Sequence, residues 1–398
     1  MQFDDVVIGS GLAALGTVLG LPADRRVLVL AGPAHGQFHH YDEHGRVPCD
    51  YIGEGGLGNH WHGVIPTACA HLDRFGAART SWRTLFERFY SHASLDGRIG
   101  EPWLFVPWQP IRPRREFRRL QKLRTPTQLA FVHDVATSLR PLGRGAVVTT
   151  GQAGEVTAQR VWVAAGALQT PVLLDRSFGR VSRGTVSDHV ICYIGHADGL
   201  EAPHVSRGLE GAFFPASYRT NGESLYTLRP ARFSCRRLDH GIEHKAAFAM
   251  PAGSALLKLS RRASAGLITE AVYNRFGVGA RAPRHSVYAQ VLARDAYAHD
   301  VATGRLAIHT SRVRHAVEGA REHQPFRDVT LSRRREITLP GIHLHHSVDP
   351  TALHALGVNL PGAPIQVVDA SPLVEIGAEH HSFKMLVAAH DRAVQATQ

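Results

Sequence analysis

The chain opens on a short apolar run, Val6-Val7-Ile8, and turns through Gly9-Ser10-Gly11-Leu12-Ala13-Ala14 into an apolar helical stretch before a second run, Val27-Leu28-Val29-Leu30. Continuous apolar runs on either side of a helix are the pattern of buried parallel strands joined by a crossover. The glycine spacing is that of a dinucleotide site. Gly9 permits the tight turn, Gly11 lets backbone approach a pyrophosphate, and Ala14 lets the helix pack closely on the strand. Amide groups at the helix start would then hold the phosphates. The alternative is a buried strand-to-helix turn that binds nothing. One expected residue is missing: the acid that ends the second strand and binds the ribose hydroxyls is replaced by Ala31, followed by Gly32-Pro33.

Further along, polar and apolar positions mark other elements. Gly53-Glu54-Gly55-Gly56-Leu57-Gly58-Asn59-His60-Trp61-His62-Gly63 is a glycine-rich loop of the kind that lies against something flat or anionic, or simply packs a tryptophan. Trp82 to Tyr90 has helical periodicity. The segment Pro107 to Arg124, basic from Arg112 on, reads as a helix with Phe117, Leu120 and Leu123 on one face. Leu129 to Leu139 leads into a β region through Val147-Val148-Thr149. Arg160 to Ala167 reads as a strand ending in small residues, with a helix starting at Leu168-Gln169-Thr170-Pro171. Ser187-Asp188-His189 follows. From about Tyr193 to Thr338 short alternating strands with polar turns predict an antiparallel sheet. At the C-terminal end come Gly341-Ile342-His343-Leu344-His345-His346, a buried strand Ile365 to Ser371, Gly377-Ala378-Glu379-His380-His381-Ser382, and a last helix from Phe383 to Val394.

Composition narrows the class. With 398 residues, 44% hydrophobic and 20% charged, the chain can bury a large core in two or three domains. No apolar run is long enough to span a bilayer, and the N-terminal apolar stretch lacks a basic leader and is broken by glycines, so neither membrane span nor signal peptide is expected and the location is read as cytoplasmic. Cys49, Cys69, Cys192 and Cys235 are scattered singly, as thiols of a reducing compartment are. A formal net charge of +11 would suit an anionic substrate, an acidic partner or nucleic acid, but also an arginine-rich solvated surface. No nucleic-acid module accompanies the charge, so nucleic acid is set aside. His35 to Asp50 is dense in His, Asp and Glu without regular ligand spacing, and no metal is expected.

In their order these motifs resemble the glucose-methanol-choline (GMC) oxidoreductases: the N-terminal Gly-x-Gly-x-x-Ala, the Gly-Gly loop, Ala164-Ala165-Gly166-Ala167-Leu168-Gln169-Thr170-Pro171, Ser187-Asp188-His189, the histidine cluster, Val367-Val368-Asp369-Ala370-Ser371 and the closing Gly377 motif. The resemblance implies an α/β fold, a Rossmann-like FAD-binding domain formed from 1–75, 129–205 and 340–398, with a smaller antiparallel-sheet substrate domain formed from 76–128 and 206–339. It implies FAD, held by Gly9, Gly11, Leu12, Ala13, Gly55, Gly56, Asn59, His60, Ala165, Gly166, Asp369 and Ala370. The loop Gly55 to Trp61 resembles that of the pyranose oxidases, which implies covalent flavin attachment at His60; Asn59 stands where that subgroup carries Thr. The catalytic pair implied by the family is His380 at the start of the last helix and, because the usual His-x-x-Gly lacks its glycine, either His343 or His345.

The expected chemistry is oxidation of an alcohol, sugar-like or a natural-product hydroxyl, in which a histidine removes the hydroxyl proton and flavin N5 takes the hydride. Three other readings stay open. One is a non-catalytic or altered-chemistry flavin-fold protein, motivated by Ala31 and the incomplete histidine motif. Another is a tailoring enzyme acting on a carrier-bound substrate through a small substrate domain. The third is a partner-docking role for Arg112 to Arg124.

Overall fold

The computed structural model describes residues 2–43, 45–61, 64–66, 77–90, 103–105, 111–198, 218–220, 222–230, 284–326, 329–331 and 338–398. Cys69, Cys235, the end of the glycine-rich run at His62-Gly63 and most of the segment 206–283 lie outside the described residues.

Among the described residues two seven-stranded sheets form the body of the fold, beside two short two-stranded ones. The first has seven strands, with Leu129–Val132, Val27–Leu30, Gln2–Ile8 and Glu155–Val163 side by side in parallel. The far edge of Glu155–Val163 is divided: its first half pairs antiparallel with Gly145–Thr150, and its last residues pair parallel with Ile365–Val367. Val6, Val7, Val27, Val29, Val161 and Val163 are wholly buried, as in a sheet covered on both faces. Asp5 interrupts the first run without exposing it. Its carboxylate accepts the indole N–H of Trp162 at 2.9 Å and pairs with Arg25, so its charge is balanced inside the sheet.

The first helix, Leu12–Gly20, lies against the last, Ser382–Thr397. The contact is backbone to backbone: a Cβ on Gly16 would run into the Leu386 carbonyl oxygen, and one on Gly20 into that of His390. Small residues therefore let the two helices approach until Leu15, Val18, Phe383 and Leu386 share one core with Trp162. This packing sets the start of the last helix beside the dinucleotide-type turn.

The second sheet, also of seven strands, is built on the antiparallel pair Thr185–Asp198 and Arg284–Asp300. The segment 129–205 is thus shared between sheets, for Thr185–Asp198 belongs to the antiparallel one. The pairing register shifts between Val186 and Asp188, where Arg294, Asp295 and Ala296 of the partner strand stand opposite Ser187 alone. The basic helix spans Pro113–Leu123. It buries Phe117 and Leu120, whereas Leu123 is 77% exposed. At about 100° per residue, Leu123 lies roughly 120° around from Phe117, off the packed face.

Candidate active site

A cavity of about 420 Å³ opens where the two helix starts, the glycine-rich loop and the strand ends meet. One wall is the turn Gly9 to Ala13. Gly9 has φ +109°, and a Cβ there would be driven into the Ala164 carbonyl oxygen, so only glycine keeps the turn flush against the neighbouring strand. Ser10 ties this turn to the other walls: its hydroxyl donates to Ala31 O at 3.2 Å and accepts the Gly55 N–H at 2.8 Å.

Of the residues expected to hold a cofactor, Gly9, Gly11, Leu12, Ala13, Gly56, His60, Ala165, Gly166, Asp369 and Ala370 line the cavity. Gly55 and Asn59 do not, and their placement differs from the sequence expectation for a definite reason. The Asn59 amide turns back into its own loop, donating to Glu54 O at 2.8 Å and accepting the Arg114 N–H at 3.2 Å. Arg112 donates to the carbonyls of Asn59 and Trp61, and Arg114 pairs with the buried Glu54 at 3.3 Å. The basic helix thus braces the glycine loop from behind. Asp369 reaches the cavity wall, but its carboxylate is engaged by the protein, accepting Gly166 N–H at 2.8 Å and the Thr170 hydroxyl at 2.6 Å.

His60 stands on the wall with its ring against Phe38 and Tyr51, each 4.8 Å between centroids. Burial, aided by the Arg112 charge, lowers its pKa and favours the neutral ring. Near Ala31, where the ribose-binding acid is missing, the adjacent strand brings in Asp134, which also lines the cavity. Desolvation opposes ionisation of Asp134, but the backbone N–H of Ala153, the Thr150 hydroxyl and the N–H groups of Val135 and Gln152 together outweigh it and hold its pKa below the ordinary value.

At the other end the histidines gather. His343 and His381 line the cavity, and His189 stands behind them; one nitrogen of each lies within 4.8 Å of the others. His345 does not reach the cavity: it is fully buried and donates from Nδ1 to His343 O at 3.1 Å, and burial pushes its pKa down to about 4. Of the two alternatives left open by the motif, the structure brings His343 to the site. His380 is half-buried, outside the lining, with its ring 5.9 Å from that of His343. The next residue, His381, occupies the wall instead, its ring 4.8 Å from His343. Burial first, and then neighbouring imidazoles, lower the pKa values of His189 and His381, so both rings are neutral at neutral pH. Neutral imidazoles at this spacing can move a proton, and they are also a donor set for a metal ion. The sequence expectation names neither His189 nor His381 as a site residue, although the motifs Ser187-Asp188-His189 and Gly377 to Ser382 contain them.

No family model matches the chain, and no curated protein matches its sequence. Among solved structures, the crystal structure of pyridoxine 4-oxidase from Mesorbium loti is similar over 99% of this chain and 99% of that one, with a TM-score of 0.54 and 15% sequence identity. The thioredoxin reductase of Lactococcus lactis aligns with 42% of this chain and 36% of its own, at a TM-score of 0.23 and 13% identity, a likeness too partial to bear on the fold. Among the described residues no helix is long and apolar enough to cross a membrane. The described residues thus have a GMC-like α/β fold, a Rossmann-like sheet joined to an antiparallel one, similar to that of a pyridoxine 4-oxidase.

Proposed function

We propose that this chain is an FAD-dependent oxidoreductase that oxidises an alcohol, a sugar-like or natural-product hydroxyl. The observation that carries the reading is one cavity with a dinucleotide-type turn on one wall and neutral imidazoles on another. The walls fit the group: backbone of Gly9 to Ala13, Gly56 and Gly166 can approach a flat ring and a pyrophosphate as side chains could not. FAD, when bound, supplies the hydride acceptor, flavin N5.

The chain supplies position and a base. His343 takes the hydroxyl proton as the C–H bond α to it breaks, and His381 faces the same space as its neighbouring imidazole. Proton removal by a positioned base contributes about 10² to 10⁴ in rate. His380, the partner implied by motif register, stands one residue away, and paired alanine variants separate the two. His381→Ala should lower turnover about 10²-fold with flavin content kept. If His380→Ala does so and His381→Ala does not, the assignment reverses.

His60 is the proposed attachment point for the flavin 8α-methyl group, supported by its place on the wall and its neutral ring. A tether would offset the missing acid at Ala31. Flavin should stay with acid-precipitated wild type and leave His60→Ala. The function itself is tested by adding monosaccharides or pyridoxine to the purified protein without oxygen and recording the flavin bands. Bleaching by an alcohol supports the reading; a chain that holds flavin but is bleached by no alcohol supports altered chemistry on the same fold.

A further inference from the structure

His189 is 0% exposed and is not part of the cavity lining, yet its hydrogen bonds bear on where the protons of the site reside. Its Nε2 lies 2.6 Å from the carbonyl oxygen of Gly377. A carbonyl only accepts, so Nε2 carries the proton and Nδ1 holds a lone pair. A second contact gives the same answer independently. The Gln290 amide nitrogen donates to Ala378 O at 2.9 Å, which fixes the orientation of that amide, and the same nitrogen lies 3.3 Å from His189 Nδ1. His189 Nδ1 is therefore an acceptor on two counts.

The Nδ1 atom of His343 lies 3.2 Å from this acceptor. Two lone pairs at that distance repel, so His343 Nδ1 must carry its proton and Nε2 is left as the basic nitrogen. The two backbones are locked by one group: the wholly buried Asp188 accepts the N–H of His189 at 2.8 Å and of His343 at 2.7 Å. Ile342, between this anchor and Gly341, is held at φ +58°, a conformation β-branched residues avoid unless the surroundings impose it.

We infer that His189 is a positioning residue: through the carbonyl oxygens of Gly377 and Ala378 it sets His343 in the Nδ1–H tautomer, so that Nε2 is the nitrogen that receives the substrate proton. The loop Gly377-Ala378 runs directly into the last helix, so one short motif presents His381 to the cavity and dictates, through His189, the proton on His343. The catalytic part of this inference rests on the proposed oxidase reading; the tautomer does not.

The test uses the full chain labelled with ¹⁵N-histidine, and long-range ¹H–¹⁵N correlation spectra, with the His343 signals identified by their loss in His343→Gln. The expected result is a protonated Nδ1 and bare Nε2 in His343, and the reverse in His189. A His343 ring protonated on Nε2 overturns the inference. His189→Asn can offer its amide oxygen where Nδ1 was, so it should keep the His343 tautomer and most of kcat. His189→Leu removes the acceptor. It should mix the tautomers and lower kcat about 10²-fold, with KM and flavin content unchanged. Equal loss of kcat in both variants, with the wild-type tautomer intact in both, overturns the positioning role. Should His189→Leu fail to fold, the wild-type and His189→Asn spectra still decide. Stoichiometric metal in the purified protein, lost in His189→Asn, would also overturn it, since the contact between Nδ1 atoms would then be coordination. A chain with the stated tautomers that turns over no alcohol upholds the proton assignment and refutes the oxidase reading.

Discussion

Replacing Gly166 with alanine distinguishes a residue that faces a cofactor from one that is merely a turn. Gly166 has φ +88° and Gly143, in the turn between Ala136–Leu142 and Gly145–Thr150, has φ +57°; a Cβ added to either meets no protein atom within 4 Å. In the protein alone both substitutions carry only the left-handed backbone cost, about 1–2 kcal/mol. Gly166 lines the cavity and Gly143 does not. With FAD lying against Gly166, an inserted methyl overpacks the contact at about 1–3 kcal/mol, which corresponds to roughly 5- to 150-fold weaker binding. The measurement is made in a His60→Ala background, so that no tether hides the equilibrium: thermal midpoints without FAD, then titration of FAD followed by its fluorescence. Similar midpoints with much weaker binding for Gly166→Ala are expected. Equal FAD affinities for Gly143→Ala and Gly166→Ala would refute the placement of the cofactor.

Asp188→Ala should leave the N–H groups of His189 and His343 buried without their acceptor, at about 1–3 kcal/mol each, and denaturant unfolding should register a loss of roughly 2–6 kcal/mol; an unchanged midpoint counts against the anchor. His345 titrates near 4 in the fold against 6.5 for the free group, so the unfolded chain takes up a proton that the fold refuses. Its contribution is whole above pH 6.5 and is lost as pH falls toward 4, about 3 kcal/mol in all. His345→Asn keeps a donor for His343 O and should flatten that acid slope of unfolding free energy; identical slopes contradict the account. Arg112→Ala should raise the His60 pKa, since the Arg112 charge lowers it, but not fully to its ordinary value, because burial remains; histidine NMR titration reads the shift, and no shift counts against the brace.

The elements that local patterning controls were legible from residues alone. The apolar runs around Gly9-Ser10-Gly11 are strand, turn and helix because burial and glycine conformation act within a dozen positions. The histidine site was legible only in part. Gly377 set the register of the closing motif, yet His381 rather than His380 faces the cavity, because adjacent residues at a helix start point in different directions. The choice between His343 and His345 depends on strand pairing with Ser187, 158 residues away from His345. Asp188 and His189 carried no periodic signal, since their partners come from the loops around residues 342 and 377. The arginines of 112 to 118 read as a solvated face, and part of that charge instead braces the glycine loop through Glu54 and the Asn59 carbonyl.

The central claim is that the glycine-walled cavity holds a flavin beside His343. The most direct measurement is the visible spectrum of the purified chain with its FAD content per polypeptide, in wild type and in the Gly9→Ala variant, where the turn can no longer lie flush. The account predicts flavin bands with one FAD per chain, largely lost in Gly9→Ala. A colourless wild-type chain that takes up no added FAD would contradict it.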